Sequence, residues 1–104
     1  MVNPIKMSQV NKIATFIKAN NNKYDKLVVF GKCLTSEVKE DDILELGVNV
    51  VDFNVEDYDF LYDLYLTVDD ITDGKFDIVI INDPYVLHSV INEINKGDII
   101  YEKG

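Results

Sequence analysis

One cysteine and one histidine are all that 104 residues provide of the side chains most used in nucleophilic, redox and transition-metal chemistry. A lone Cys33 excludes an internal disulfide framework. No histidine stands near it in sequence to activate the thiol, so Cys33 is expected to be a small buried or half-buried side chain. His88 lies beside an apolar stripe without evident partners, and a surface or half-buried position is expected rather than a catalytic or ligating role. No Ser-His-Asp or Cys-His set and no Walker-type glycine loop can be assembled. There is neither an apolar run long enough for a membrane span nor a signal-peptide pattern, so a cytoplasmic protein is expected. Positive charge is also scarce: 10 Lys and Arg against 19 Asp and Glu give a formal net charge of −9. Such a chain repels nucleic acid and anionic membrane unless its few lysines cluster. A phosphate ligand would need a metal ion or backbone N–H groups to offset the repulsion, whereas a basic protein partner is compatible.

What is present is enough for a packed core. Apolar residues make up 47% of the chain, with six Tyr and five Phe, and no repeat, linker or low-complexity block divides it, so one domain over residues 1–104 is expected. Val10, Ile13, Ala14 and Ile17 form one stripe of an amphipathic helix over 8–21, with Ser8 as N-cap and Asn20 to Asn22 as its end. Leu27 to Phe30 reads as a strand buried on both faces, stopped by Gly31. Residues 32–46 fit either helix or loop, and Val48 to Phe53, behind Gly47, reads as a second strand. Phe60, Leu61, Leu64, Tyr65, Val68 and Ile71 recur at helical spacing, with Asp57 or Asp59 as cap and Gly74 as stop. Phe76 to Ile81 is a third strand. Asp83-Pro84 opens a last helix striped by Val86, Leu87, Val90, Ile91 and Ile94, and Asp98 to Tyr101 adds a short edge strand after Gly97.

This order predicts a small α/β (α+β) sandwich. It resembles the minimal nucleotidyltransferase domain of the DNA polymerase β superfamily, often encoded beside a helical HEPN-domain partner. The resemblance rests on the first helix, "KLVVFG", the acid-rich return, the helix near 57–72, "GKFDIVIIND" and "PYVLHSVINEINKGDIIYE". It implies a mixed sheet of three to four strands with about three to four helices. In that family a Gly-Ser ends strand one, strand two carries Asp-x-Asp, and strand three adds a further Asp. Carboxylates two residues apart share one face of a strand. With the third they hold two Mg²⁺ ions against the triphosphate of ATP.

Carried over to this chain, Gly31 matches the glycine and Lys32 stands in the place of the serine. Counting on without gaps, the two aspartate positions fall on Ile43 and Glu45; aligned through "GVNVVDF" they fall on Gly47 and Asn49. Only Asp77 matches its carboxylate well. The resemblance therefore implies a partner-binding, antitoxin-like protein with an impaired metal site and no cofactor, joined to a helical HEPN-type protein. The alternative is an active enzyme that transfers AMP from ATP to a partner. It would use Asp77 and Glu45 as catalytic carboxylates, Asp77, Glu45 and Asp42 for Mg²⁺ or Mn²⁺, and Gly31 and Lys32 for phosphates. A homo-oligomer formed through an exposed edge strand is a third reading. Among the other acids, Asp57 and Asp59 read as helix-start residues, Glu40 and Asp41 as solvated surface, and Asp69, Asp70 and Asp73 as a crowded helix end. Tyr58, Tyr62, Tyr65, Tyr85 and Tyr101 are numerous enough to suggest an interface contribution beside core roles.

Overall fold

The first helix, α1, begins earlier than its apolar stripe suggests. It runs Pro4–Ala19, with Asn3 rather than Ser8 as N-cap: the Asn3 side chain accepts the Ile5 N–H at 3.0 Å and Pro4 takes the first helical turn. Val10, Ile13, Ala14 and Ile17 are buried as the stripe requires, and Lys6 joins them at 1% exposure. The ammonium of Lys6 donates to the carbonyls of Glu40 and Asp42, each at 2.7 Å. A buried charge satisfied in this way fastens α1 to the loop ahead of the second strand.

A computed structural model describes residues 1–54 and 59–104; Asp57, Tyr58 and the Phe60 side chain, singled out above, lie outside the described residues. After α1 come β1 (Tyr24–Phe30), a 3-10 turn (Gly31–Leu34) and β2 (Leu44–Val50). A second 3-10 turn (Asp59–Leu61) leads into α2 (Tyr62–Thr72), followed by β3 (Phe76–Ile80), α3 (His88–Asn95) and β4 (Asp98–Glu102). The chain is a mixed α/β fold whose four-stranded sheet has the order β3-β2-β1-β4. β1 is antiparallel to both β2 and β4, while β2 and β3 are parallel.

Two further expectations need correction, and one left open is decided. The second strand is Leu44–Val50, not Val48 to Phe53, because Leu44, Leu46, Val48 and Val50 alternate inward toward one core. Residues 32–46 are therefore a 3-10 turn, a connecting loop and the start of that strand. The last helix starts at His88 rather than at Asp83. Asp83 Oδ1 accepts the Tyr85 N–H at 2.9 Å and its carbonyl the Val86 N–H at 3.2 Å, which closes a single turn. Leu87 is then extended (φ −65°, ψ 142°), and the helix starts behind it.

The two faces of the sheet are covered unequally. α1 and α2 bury Val10, Ile13, Ile17, Leu64 and Val68 against Leu27, Val29, Leu46, Val48 and Ile80. On the opposite face, among the described residues, α3 packs Ile94, with Val90 and Ile91, over Val28, Phe30, Val79 and Ile81. β1, second from one edge, is buried on both faces, as its unbroken apolar run requires. Asn82 prolongs the β2–β3 pairing beyond the end of β3. Its amide donates to the Val50 carbonyl at 2.6 Å and accepts the Val50 N–H at 3.1 Å.

Candidate functional site

The half-covered face under α3 is where three of the predicted site residues, Gly31, Glu45 and Asp77, meet. Glu45 pairs in register with Phe30 on β1 and with Asp77 on β3. Lateral neighbours in a sheet point their side chains to the same face, so Phe30, Glu45 and Asp77 form one row. Of the two alignments open to the second strand, the gap-free one is the one that brings a carboxylate beside Asp77. In the other, Gly47 lies under α3, where a Cβ would approach Ile94 to 3.2 Å, and Asn49 donates to Asp25 at 2.7 Å.

Gly31 completes the row at the end of β1. Its φ is +79°, and a Cβ at that position would overlap the Glu45 carboxylate and stand 2.8 Å from Cδ. Glycine is favoured there by the left-handed backbone, and a Cβ would also oblige the flexible end of Glu45 to move. Glu45 is half-buried and Asp77 exposed. Together with Glu93 and Ser89 of α3 they border a cleft of about 370 Å³ whose apolar lining comes from Phe30, Val79 and Val90.

Lys32 and Asp42 are engaged elsewhere. Lys32 Nζ lies 3.1 Å from Asp42 Oδ2, and the same oxygen accepts the Lys39 N–H at 2.7 Å. The Lys39 N–H bond, followed by Lys32, holds the Asp42 carboxyl below its usual range. Asp42 is thus a clasp within the loop, and Lys32 carries a neutralised charge. Ile43, in the first aspartate position, is 54% exposed and offers no ligand oxygen on its side chain. Among the described residues, no three His, Cys, Asp or Glu side chains are grouped to hold a metal ion. Glu45 and Asp77 are a pair, and a pair does not fit the cage that two divalent ions need.

Cys33 is fully buried, with its Sγ 3.4 Å from the Ile43 carbonyl, and burial raises its thiol pKa despite a backbone hydrogen bond at Glu45 and the charge of Lys6. That is the environment of an inert thiol. His88 is exposed at the first turn of α3, and Asp59, Glu40, Asp41, Asp69, Asp70 and Asp73 are all exposed. Tyr65 is half-buried; burial raises its phenol pKa, and the charge of Asp77 raises it further. Tyr62 and Tyr85 are exposed, whereas Tyr24 is in the core.

Lys6, Asn82 and Glu93 are functional or structural residues that sequence pattern alone does not pick out. Lys6 had a signal: it stands four residues ahead of Val10, in phase with the buried stripe, once Asn3-Pro4 is taken as the helix start. Glu93 had none, since its place on the same cleft as Asp77 depends on how α3 crosses the sheet. Among the described residues no helix is long and apolar enough to cross a membrane. No protein-family model matches the chain, and no curated protein matches it as a relative.

Proposed function

We propose that this chain is a nucleotidyltransferase-like domain that acts by binding a protein partner rather than by transferring nucleotide. The partner is a helical protein of the HEPN type with a basic face, of which this chain is the antitoxin-like counterpart. One observation carries the reading: Glu45 and Asp77 stand side by side in the expected row, and although Glu93 borders the same cleft, no three acids are grouped to hold a metal ion among the described residues. Ile43 supplies no carboxylate, and Asp42 is held by Lys32 and the Lys39 N–H. Two carboxylates offset at most the charge of one divalent ion, and a triphosphate would approach a protein of net charge −9. The same charge favours rapid encounter with a basic protein face.

The alternative, an active enzyme using Asp77 and Glu45 with Mg²⁺ or Mn²⁺, is favoured by the register of those two residues and by Gly31 against the Glu45 carboxylate. Calorimetric titration with ATP and either metal separates the two readings. No metal-dependent binding is expected, together with co-purification with a co-expressed helical neighbour that survives Asp77→Ala. Metal-dependent ATP binding that disappears in Asp77→Ala would overturn the proposal in favour of catalysis.

A further inference from the structure

The far side of β3 ends the sheet. Among the described residues no strand pairs with it there. Leu44 N–H bonds to the Lys75 carbonyl, and Ile81 N–H to the Val48 carbonyl, so the alternate residues 75, 77, 79 and 81 turn their backbone groups toward β2. Phe76, Ile78 and Ile80 turn theirs outward. Of those outward groups, the Ile80 carbonyl accepts the Asp83 N–H at 3.1 Å, which closes the last of them into the turn that follows.

A groove of about 280 Å³ lies along this edge. Its floor includes Ile78 and Ile80, Tyr65 of α2 forms one wall, and Val86, Leu87 and Val90 form the other. Leu87 is 69% exposed, and so are Tyr62 at 66% and Leu66 at 51%. At about 100° per residue, Tyr62 falls about 60° from Tyr65 on α2, whereas Leu66 lies about 100° from it, on the side away from the core. The groove thus occupies the position of a neighbouring strand, roofed by helices on both faces of the sheet.

Edge strands of monomers are normally blunted by lysine, proline, bulges or a covering segment. β4, at the other edge, has such protection. Its pairing with β1 is bulged between Leu27 and Val28, and the chain start lies against it, with the Val2 N–H donating to Asp98 at 3.2 Å. β3 has no proline, lysine or register shift.

Charge decides the occupant. Asp83 lines the groove and Asp77 lies on β3 itself, while no basic residue is among the lining. A second copy would bring the same acids and a further net charge of −9 to the contact. We propose that the outer edge of β3 docks an extended, lysine- or arginine-bearing segment of a partner protein, which joins the sheet as an additional strand. The segment's backbone pairs with the outward groups of Phe76 and Ile78 and with the outward N–H of Ile80, whose carbonyl stays in the turn; one apolar side chain enters between Tyr65 and Leu87, and its cations meet Asp77 and Asp83. This deepens the partner-binding reading and rests on it for the biological occupant.

The probe is an acetylated decapeptide alternating Val and Lys, titrated into the ¹⁵N-labelled full chain, with a Val and Glu decapeptide as control. The lysine peptide is expected to slow amide exchange at Ile78 and Ile80 selectively, since Asp77 and Val79 are already bonded to β2. Its binding weakens with salt, and Leu87→Lys, at an exposed position that leaves the circular dichroism unchanged, weakens it by about tenfold or more. Equal binding of both peptides, or no protection at Ile78 and Ile80, overturns the proposal. So does protection that rises with protein concentration alone, which would identify a second copy as occupant. If the helical neighbour co-purifies while the Ile78 and Ile80 amides stay unprotected in the complex, the edge proposal falls and partner binding stands. If ATP binds in a metal-dependent way while the lysine peptide still protects those amides, the edge proposal stands and the non-catalytic reading falls.

Discussion

Lys6→Met is the substitution that best tests how the loop before β2 is held. The ammonium of Lys6 is buried at 1% exposure and donates to two backbone carbonyls at 2.7 Å. Methionine nearly matches its length and flexibility but donates nothing. Hydrogen bonds from a charged donor contribute about 1.5–3 kcal/mol each, so about 3–6 kcal/mol is lost at first reckoning. Two effects oppose that loss: a thioether needs no stripping of water from a charge, and water can reach the freed carbonyls of a surface loop. A net destabilisation of about 2–4 kcal/mol is expected, read from urea melts with an unchanged m-value. Cys33 supplies a local readout, being buried with Sγ against the Ile43 carbonyl at the end of the same loop. If loosening the loop exposes the thiol, native-state labelling by a disulfide reagent should accelerate by about thirtyfold to a thousandfold. A loss below about 0.5 kcal/mol with an unchanged labelling rate would refute the reasoning, because the ammonium would then be no tether.

Gly97→Ala is expected to destabilise by about 1–3 kcal/mol in a thermal melt, because two of the three atoms nearest the new Cβ are backbone carbonyl oxygens and the third is the buried Val28 Cγ1 at 2.7 Å. It would meet the Val29 carbonyl at 2.6 Å and the Ile94 carbonyl at 3.0 Å, which are fixed by β1 and α3. Acid should weaken the loop clasp. The Asp42 carboxyl is held below its ordinary value of 3.8, so its contribution is complete above that value and is lost as pH falls through the depressed one. In Asp42→Asn the acid limb of a stability–pH profile should flatten below about pH 4. Base acts in the opposite sense on Cys33 and Tyr24, whose pKa values burial raises from 9.0 and 10.0. Their contribution is present below those values and lost as pH rises through the raised ones, and Cys33→Ala should remove the thiol's share of the alkaline loss.

The helices and the sheet's composition were legible because amphipathic periodicity is a direct trace of burial. Val10, Ile13, Ala14 and Ile17, or Leu64 and Val68, are in the core because nothing else satisfies their spacing. Helix starts were harder, and the two prolines show why. Asn3-Pro4 opens sixteen residues of helix, whereas Asp83-Pro84 closes one turn. A capping residue followed by proline fits the first turn of a helix and the first half of a type I turn equally well. Packing downstream decides between them: Val10 and Ile13 continue the burial of Lys6, whereas Leu87 breaks into extended backbone.

The candidate site depended on a finer quantity, where along the chain β2 lies. Side chains alternate along a strand, so the two readings, four residues apart, keep Ile43, Glu45, Gly47 and Asn49 on one face and change only which of them stands beside Asp77. Both "LELGVNV" and "VNVVDF" alternate well enough to be strands, and only the first sets Leu44, Leu46, Val48 and Val50 inward together. In that frame Glu45 turns toward α3, pairs with Asp77 and fills the space left by Gly31. In the same frame Ile43 precedes the strand, and Asp42 remains in the loop with Lys32. One register therefore both brings two acids together and leaves the third outside. Metal-dependent nucleotide binding would have to recruit an oxygen from beyond this row, and Asp42 could serve only by giving up Lys32 and the Lys39 N–H.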